Sequence, residues 1–264
     1  MEKHRPRKRF GQNFLTDGNI AGKIVAAVDP APDDALLEIG PGHGALTRRL
    51  LGRVGRLDVV EVDRDLAAEL RGMDTGGREL VVHEADALAF DYAALARERA
   101  RPLRVVGNLP YNISSPLLFH LFEQAPSVAD MHFMLQREVV DRLAAGPGSK
   151  TYGRLSVMAQ LECEITPLFR VPPGAFYPVP RVESAVVRLT PRPAEAPRPR
   201  DHGRFAAVVA QAFQARRKTL RNALKGLCHP SCLEEAGIDP GARAESLSVA
   251  DFIRLADATA ETES

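Results

Sequence analysis

Between residues 35 and 135, short apolar runs alternate with segments of helical spacing, and this alternation limits the folds open to the chain. The apolar runs lie at 35–39, 57–62, 79–84, 103–106 and 131–135. Runs without polar alternation are typical of strands buried on both faces, as in a parallel sheet covered by helices on each side. A Val-rich run at 182–189 predicts a late strand, antiparallel at the far end of the sheet. The sequence therefore predicts an α/β fold with a doubly wound, Rossmann-like sheet.

A proline-rich stretch predicts the boundary between two domains. Residues 191–199 contain four prolines in nine positions and no apolar periodicity, which is typical of a stiff, extended linker. Beyond it, residues 205–227 and 249–256 have helical spacing. In a chain of 264 residues we predict a sheet domain over 1–190, a linker over 191–199 and a small helical domain over 200–264.

Composition and cysteine content argue against membrane, secreted and metal-binding classes. No apolar run approaches the ~18–20 residues that span a bilayer, and the basic start of the chain lacks the apolar segment of a secretory signal. Three cysteines form no even disulfide set, which fits a reducing cytoplasm. Cys228 and Cys232 do not supply the four ligands that a structural zinc site requires. We expect a cytoplasmic protein without a bound metal.

Gly40, Gly42 and Gly44 follow the first predicted strand with the spacing Gly-x-Gly-x-Gly. Glycines at such a turn let the backbone approach a ligand and adopt positive φ. Dinucleotide folds use Gly-x-Gly-x-x-Gly, with the helix N-terminus binding the pyrophosphate. S-adenosylmethionine carries a sulfonium cation and no phosphate, so Glu38 beside this turn suits it better than it suits a pyrophosphate. The turn favours a methyl donor over a dinucleotide.

Two further carboxylates end the next two predicted strands. Glu61 lies 21 residues after Gly40, where an acidic side chain accepts hydrogen bonds from ribose hydroxyls. Asp86 ends the third strand, where it is suited to accept from the adenine amine of a cofactor. Each carboxylate is alternatively the N-cap of a helix. Their repetition at successive strand ends favours a binding site for S-adenosylmethionine.

The tetrapeptide Asn108-Leu109-Pro110-Tyr111 follows the fourth predicted strand, at the sheet edge where open α/β sheets bind ligands. The exocyclic amine of adenine is a poor nucleophile because its lone pair is delocalised into the ring. An Asn oxygen and a backbone carbonyl that accept its two N–H bonds draw the nitrogen towards tetrahedral geometry, while Tyr111 stacks on an everted base. The alternative is a turn in which Pro110 sets the bend and Asn108 caps a helix.

Basic residues are concentrated in two places although the net charge is only +1. The first cluster comprises Lys3, Arg5, Arg7, Lys8 and Arg9, and the second comprises Arg216, Arg217, Lys218, Arg221 and Lys225. Local clusters on a nearly neutral chain are compatible with phosphate contacts confined to one face. The alternative is a solvated surface without a partner.

With these positions in place, the chain resembles the small-subunit ribosomal RNA adenine dimethyltransferase family, whose bacterial members are associated with kasugamycin sensitivity. The resemblance covers nearly the whole length. Its motifs are the segment 9–15, the turn 38–44, Glu61, Asp86, the segment 108–114, the late loop 176–184 and the basic segment 214–222. The combination is specific, although no single motif is.

The resemblance implies a Rossmann-like methyltransferase sheet with a small C-terminal helical domain that binds RNA. It implies that the methyl donor contacts Asn13, Leu15, Gly40, Glu61, Asp86 and Asn108. It further implies that Asn108 binds the target amine, that Tyr111 and Phe176 sandwich the adenine, and that the RNA contacts are made by Arg216, Arg217, Lys218 and Arg221. The substrate would be two adjacent adenosines in the 3′-terminal hairpin loop of small-subunit rRNA, each methylated twice, in an immature subunit bound by a monomer.

Four alternatives differ in class or substrate. An erythromycin-resistance methyltransferase modifies a large-subunit adenine with similar motifs, but Leu109 and the 176–184 segment favour the small-subunit family. A DNA adenine methyltransferase would need a target-recognition segment that the sequence lacks. A non-catalytic ribosome-assembly factor is disfavoured as the sole role by the complete donor motifs. An NAD-dependent oxidoreductase is disfavoured by the glycine spacing.

Overall fold

The computed structural model describes residues 12–215 and 217–261. The strands within them are β1 (Phe14–Leu15), β2 (Leu36–Ile39), β3 (Arg56–Glu61), β4 (Glu79–Glu84), β5 (Leu103–Asn108), β6 (Val128–Gln136), β7 (Cys163–Val171), β8 (Phe176–Tyr177) and β9 (Ser184–Pro191). The α-helices are α1 (Gly18–Val28), α2 (Thr47–Leu51), α3 (Arg64–Arg71), α4 (Tyr92–Glu98), α5 (Ser114–Glu123), α6 (Arg137–Leu143), α7 (Arg154–Glu162), α8 (His202–Gln214), α9 (Leu220–Ala223), α10 (Pro230–Glu235) and α11 (Val249–Glu261). The N-terminal basic cluster and Arg216 lie outside the described residues.

The main sheet has the strand order β4-β3-β2-β5-β6-β9-β7 within the described part of the chain. The pairs from β4 to β6 are parallel, whereas β9 runs antiparallel to β6. The predicted α/β class and the five parallel strands are therefore confirmed. The late strand is antiparallel as predicted, but it is not at the far end, because β7 lies outside it. β7 escaped prediction because Pro167 interrupts it, and proline is tolerated in edge strands.

The chain reverses its direction of strand addition between β2 and β5. Ile39 of β2 lies opposite Gly107 of β5, and a Cβ on Gly107 would lie 2.6 Å from the Ile39 carbonyl oxygen. Only glycine allows the two backbones to approach this closely. Open parallel sheets bind ligands outside the carboxyl ends of the strands at such a reversal, so the topology places a crevice beside Ile39 and Asn108.

A buried carboxylate joins β3 to the edge strand β4 and to the end of α4. Asp58 of β3 is 1% exposed and contacts the side chains of Arg56, Arg99 and His83, with Nε2 of His83 3.0 Å from Oδ1. Burial disfavours the charge of Asp58, but hydrogen bonds from His83 and Arg56 and the charge of Arg99 hold its pKa below the ordinary value. A buried charge with these partners is satisfied, and losing one of them would leave it uncompensated.

Two compact units make up the chain, and the second is larger than predicted. It comprises residues 141–164 and 192–264, and the first comprises the residues up to 140 with 165–191. Residues 141–164 were expected in the sheet domain, but their apolar side chains join the core of the helical unit. That core includes Tyr152, Val157, Leu161, Phe205, Val209, Phe252 and Leu255. The last crossing between the units, between residues 191 and 192, lies at the start of the predicted linker. The two earlier crossings, at 140/141 and 164/165, were not predicted and follow from hydrophobic burial.

The residues after β9 are bonded to α7 within the second unit, where a linker was predicted. The backbone N–H of Arg192 donates to the carbonyl of Glu162, and the Arg192 side chain donates to the carbonyl of Gln160. Arg198 forms an ion pair with the Glu162 carboxylate. The helix expected over 205–227 is divided into α8 and α9, because the basic residues between them lack an apolar stripe to bury.

Candidate functional site

A pocket in the first unit opens at the carboxyl ends of β2, β3, β4 and β5. Its lining comes from residues 12–15, 38–43, 60–62, 85–88 and 108–113, with Ala45, Leu46 and Leu66. All the predicted donor-binding residues line it: Asn13, Leu15, Gly40, Glu61, Asp86 and Asn108. Segments far apart in the sequence therefore converge on one crevice, at the topological position where a ligand site is expected.

The turn after β2 holds its shape through glycines with positive φ. Gly40 has φ +65° and Gly42 has φ +56°, a region that L side chains rarely adopt. A Cβ on Gly42 would also lie 2.9 Å from Cδ1 of Phe14. The Gly40 N–H donates to the Val60 carbonyl over 2.9 Å, which fixes the turn to β3. The result is a turn whose backbone is open at Gly40, whereas the Phe14 ring lies against the backbone at Gly42.

Glu38 is a buried carboxyl group at the base of the pocket. It is 2% exposed, and its Oε2 accepts a hydrogen bond from Oγ1 of Thr47 over 2.6 Å. Burial raises the pKa of Glu38 to about 8, against the Thr47 hydrogen bond, and the nearby charge of Glu61 raises it further. Glu38 and Glu61 both line the pocket, and a positively charged ligand there would favour the charged form of each.

Glu61 closes the turn from the side of β3. Its Oε2 accepts from the Gly42 N–H over 3.2 Å, and its Oε1 accepts from the Asp63 N–H over 2.9 Å. Burial raises the pKa of Glu61, while these backbone hydrogen bonds act in the opposite direction. Each carboxylate oxygen keeps acceptor capacity beyond its one backbone bond. Glu61 can therefore hold the turn and accept from a ligand hydroxyl at once.

Asp86 lies at the mouth of the pocket and is exposed. Its Oδ1 accepts from the Leu88 N–H over 2.9 Å, which orients the side chain after β4. Glu38, Glu61 and Asp86 thus give the pocket three carboxyl groups, and no Lys or Arg lines it among the described residues. A pyrophosphate would meet no cation there, so the lining disfavours a dinucleotide.

The Asn108 amide is oriented by the N-terminal segment. Its Nδ2 donates to the backbone oxygen of Asn13 over 2.8 Å, so its nitrogen is held against that carbonyl and its oxygen is turned away from it. Leu109, which follows, is 1% exposed, and its N–H donates to the Met134 carbonyl. Asn108 therefore stands on a rigid strand end with an oxygen available as an acceptor.

Tyr111 is anchored through its hydroxyl. The phenol oxygen lies 2.7 Å from Oγ of Ser184, a buried residue at the start of β9. Burial raises the pKa of Tyr111, although the hydrogen bond with Ser184 opposes this, and Ser114 Oγ donates to the Tyr111 carbonyl over 3.1 Å. These two bonds fix the ring at the pocket wall. The anchoring by Ser184 could not be read from the sequence, because the two residues are 73 positions apart.

Phe176 is not brought to the pocket surface with Tyr111. Its side chain is 2% exposed and packs in the core of the first unit, and β8 pairs Phe176 with Leu15 of β1. The Phe176 ring therefore packs in the core of the first unit and does not line the pocket with Tyr111. The next residue, Tyr177, is 65% exposed and is the aromatic ring that this turn presents to solvent.

A tilted pair of rings, whose planes meet at 53°, also flanks the turn and was not predicted from the sequence. The rings of Phe14 and His43 have centroids 4.5 Å apart, and Nδ1 of His43 lies 3.0 Å from Oε2 of Glu69. Phe14 and His43 both line the pocket. This pair covers the glycine turn from the side of the N-terminal segment.

The predicted RNA-binding residues that the structure describes lie on the second unit. Arg217, Lys218 and Arg221 are exposed there around the start of α9.

Cys228 is partly exposed and Cys232 is buried. No group of three potential metal ligands was found in the described ranges. In those same ranges, no helix combines the length and apolar character that crossing a bilayer requires.

Comparisons with known proteins converge on one group. A family model described as ribosomal RNA adenine dimethylase matches residues 3–261. A protein of Xanthomonas campestris pv. campestris named ribosomal RNA small subunit methyltransferase A is 58% identical over 251 residues, 95% of each chain. One of the same name from Methylococcus capsulatus is 57% identical, covering 96% of this chain and 97% of that protein.

Two solved structures are similar over nearly the full length. A dimethyladenosine transferase from Plasmodium falciparum has a TM-score of 0.79 and 26% identity, covering 92% of this chain and 95% of that one. The 23S rRNA methyltransferase ErmE has a TM-score of 0.72 and 27% identity, covering 94% of this chain and 100% of that one. The fold is thus shared with a dimethyladenosine transferase and with a 23S rRNA methyltransferase.

Proposed function

This chain belongs to the ribosomal RNA adenine dimethylase family, and we propose that it transfers methyl groups from S-adenosylmethionine to small-subunit rRNA. The acceptors are the N6 amines of two adjacent adenosines in the 3′-terminal hairpin loop of 16S rRNA, each methylated twice. The small-subunit assignment rests on relatives that are 57–58% identical. ErmE, which acts on 23S rRNA, is 27% identical.

The residues that line the crevice are the basis for proposing S-adenosylmethionine as the methyl donor. S-adenosylmethionine supplies an electrophilic methyl group on a positively charged sulfur. Three carboxyl groups and the absence of Lys or Arg among the described lining residues suit a cation. Gly40 leaves an open backbone for the ligand to approach. We propose that Glu61 accepts from the ribose hydroxyls, that Asp86 accepts from the cofactor adenine, and that Asn13 and Leu15 contribute the wall nearest to Asn108.

The target amine is positioned by Asn108 in this proposal. The bond to Asn13 holds the amide nitrogen, so the amide oxygen accepts one N–H of the adenine amine while an adjacent backbone carbonyl accepts the other. Nitrogen held in this way directs its lone pair at the methyl group. The new N–C bond forms as the S–CH3 bond breaks and neutral S-adenosylhomocysteine leaves, and the now cationic nitrogen then releases one of its own protons to water. No strong base is required, and positioning supplies most of the rate, a regime worth roughly 7–11 kcal/mol in well-oriented reactions.

We propose that Tyr111 stacks on the everted adenine, with its ring held rigid by Ser184. Phe176 was expected on the opposite face, and its burial supports a packing role beneath β1 and β8. The exposed cations Arg217, Lys218 and Arg221 are proposed to contact rRNA phosphates. A monomer acting in the cytoplasm on an immature small subunit remains part of the proposal.

The decisive experiment supplies labelled S-adenosylmethionine with under-methylated small subunits and, separately, with large subunits. We expect label only in the small subunit, at two adjacent adenosines that become dimethylated, as mapped by mass spectrometry of nuclease fragments. Label confined to the large subunit would refute the small-subunit assignment and indicate 23S rRNA methylation instead. Binding of under-methylated small subunits without any transfer of label would instead favour a non-catalytic assembly factor.

A further inference from the structure

The exposed apolar side chains of the described residues are concentrated in one loop of the first unit. Four large hydrophobic residues are exposed there, and three of them, Tyr177, Val179 and Val182, lie between the strand β8 and the start of β9. Tyr177 is 65% exposed. Its ring and its hydroxyl make no ring contact, hydrogen bond or ion pair within the described ranges. A cluster of this kind on a surface indicates an interaction site.

Both ends of this loop are fixed beside the crevice. At its start, Tyr177 lies directly opposite Phe14 in the β1–β8 pair, and Phe14 lines the pocket. At its end, Oγ of Ser184 lies 2.7 Å from the hydroxyl of Tyr111, which also lines the pocket. The loop therefore leaves from one wall of the crevice and returns to another, and its exposed side chains stand at the rim.

The direction of the Tyr177 ring follows from the two faces of the β1–β8 pair. Leu15 and Phe176, which lie opposite one another, are buried in the core of the unit. Phe14 and Tyr177 therefore share the other face, because side chains alternate along a strand and directly opposite residues lie on the same face. The Phe14 ring covers the turn at Gly42. Tyr177 extends this aromatic surface outward from the edge of the crevice.

We propose that Tyr177 stacks on the base next to the target adenosine in the rRNA. The proposal rests on the function proposed above, in which the target adenine enters the crevice beside Asn108 and Tyr111. The neighbouring nucleotide is joined to the target by one phosphodiester, so it has to lie at the rim. Tyr177 does not line the crevice itself, which suits the neighbouring base and not the target.

Stacking on a ring also suits a substrate with two adjacent targets. Unstacked bases of an RNA loop are commonly bound on aromatic side chains. Such stacking tolerates any sequence, because every base presents a π-face. When the second adenosine replaces the first in the crevice, a different nucleotide becomes the neighbour at the rim. Tyr177 can hold either neighbour, and it thereby positions both adenosines without reading the identity of the base beside them.

The test compares three substitutions in the full-length protein. Tyr177→Ala removes the ring, and Tyr177→Phe keeps the ring without its hydroxyl. Val179→Ala is the matched control, because Val179 is 63% exposed in the same loop but has no ring. Affinity for under-methylated small subunits is measured with S-adenosylhomocysteine in place of the donor, so that no transfer occurs. The subunits are reconstituted with 16S rRNA that is either intact or abasic at one position, within the adenosine pair or directly beside it.

Tyr177→Ala should bind intact subunits roughly 5–150-fold more weakly, the loss expected when one stacking ring is removed. Tyr177→Phe and Val179→Ala should bind as wild type does. At one of the abasic positions, wild type should lose affinity by a similar factor and Tyr177→Ala should lose none, because the ring and the missing base are partners. The melting temperature of Tyr177→Ala should equal that of wild type, since the ring is exposed.

Three results would overturn the stacking role of Tyr177. They are equal losses in Tyr177→Ala and Val179→Ala, losses that multiply at every abasic position, and a lowered melting temperature that accounts for the weaker binding. Failure of wild type to methylate intact subunits in the presence of S-adenosylmethionine would instead refute the proposed function. The two failures are distinguishable, because the binding comparison does not depend on methyl transfer.

Discussion

Nδ2 of Asn108 donates a hydrogen bond to the backbone oxygen of Asn13 over 2.8 Å, joining segments 95 residues apart. The bond connects the end of β5 to the segment that leads into β1. It thereby fixes both the wall of the crevice and the orientation of the amide. In the proposed mechanism, an adenine amine that enters the crevice meets an oxygen acceptor whose position is set by the backbone, and this positioning accelerates the displacement without a base.

Glu61→Ala should weaken donor binding. The change removes the proposed partner of the ribose hydroxyls and leaves the N–H groups of Gly42 and Asp63 without their acceptor. Hydrogen bonds to charged groups contribute about 1.5–3 kcal/mol, which corresponds to roughly 10–100-fold in the dissociation constant of S-adenosylmethionine. Isothermal titration of S-adenosylmethionine into the ligand-free protein measures this dissociation constant directly. Glu79→Ala, at the opposite end of β4, is the matched control, and equal weakening by both changes would refute the assignment.

Glu38 should make the ligand-free protein less stable as the pH rises. The folded state keeps this carboxyl protonated up to a pKa of about 8, against an ordinary value of 4.5. Its destabilising effect is therefore absent below about pH 4.5, grows as the pH rises towards 8 and is constant above that. Glu38→Gln removes the titration while keeping an acceptor for Thr47. We expect the variant to gain melting temperature relative to wild type between about pH 5 and pH 8.

The control for this pH dependence is Glu79→Gln, which changes an exposed carboxylate. Its melting temperature should follow wild type at every pH. If the difference between Glu38→Gln and wild type is the same at both ends of the range, Glu38 does not titrate in this window and the description of its environment is wrong.

Gly107→Ala should destabilise the first unit, because the new Cβ would lie 2.6 Å from the Ile39 carbonyl oxygen. Backbone cannot yield as a flexible side chain does, so the cost should reach about 1–3 kcal/mol, the range of overpacked cores. Urea unfolding measures it. Gly22→Ala, in the middle of α1 with no atom within 4 Å of the new Cβ, should instead stabilise by about 0.5–1 kcal/mol. Equal effects of the two substitutions would show that β2 and β5 do not approach as described.

Substitutions at Phe176 distinguish a ring that packs in the core from a ring that stacks on the target adenine. Because its side chain is buried in the core, Phe176→Ala should cost about 3–5 kcal/mol of stability. Phe176→Leu, which keeps an apolar side chain, should retain most of the methylation activity. Loss of activity in a well-folded Phe176→Leu protein would show that the ring leaves the core to contact the adenine, as the family resemblance implies.

Tyr111→Ala should remove about 1–3 kcal/mol of stacking on the target base, whichever role Phe176 has.

The parallel strands could be predicted because each is a short apolar run between helical segments. The convergence of Gly40, Glu61, Asp86 and Asn108 on one pocket could be predicted because these residues lie at or just after the ends of those strands. β7 could not, because Pro167 and its mixed polarity mask an edge strand. Residues 141–164 belong to the helical unit because Tyr152 and Leu161 pack in its core. The local sequence does not indicate which of the two cores an apolar side chain joins. The hydrogen bond between Asn13 and Asn108 could not be predicted either, and nor could the anchoring of Tyr111 by Ser184, because both contacts form only when distant segments of the chain meet in the fold.

Single-turnover methylation of under-methylated small subunits by Asn108→Ala, at saturating donor, tests the central claim most directly. Loss of one preorganised hydrogen-bonding group in an active site typically slows the chemical step by roughly 100–1000-fold. We predict a decrease of that size, with affinity for the subunit essentially unchanged because Asn108 contributes no phosphate contact. A variant that methylates both adenosines at nearly the wild-type rate would contradict the role of Asn108 and, with it, the mechanism.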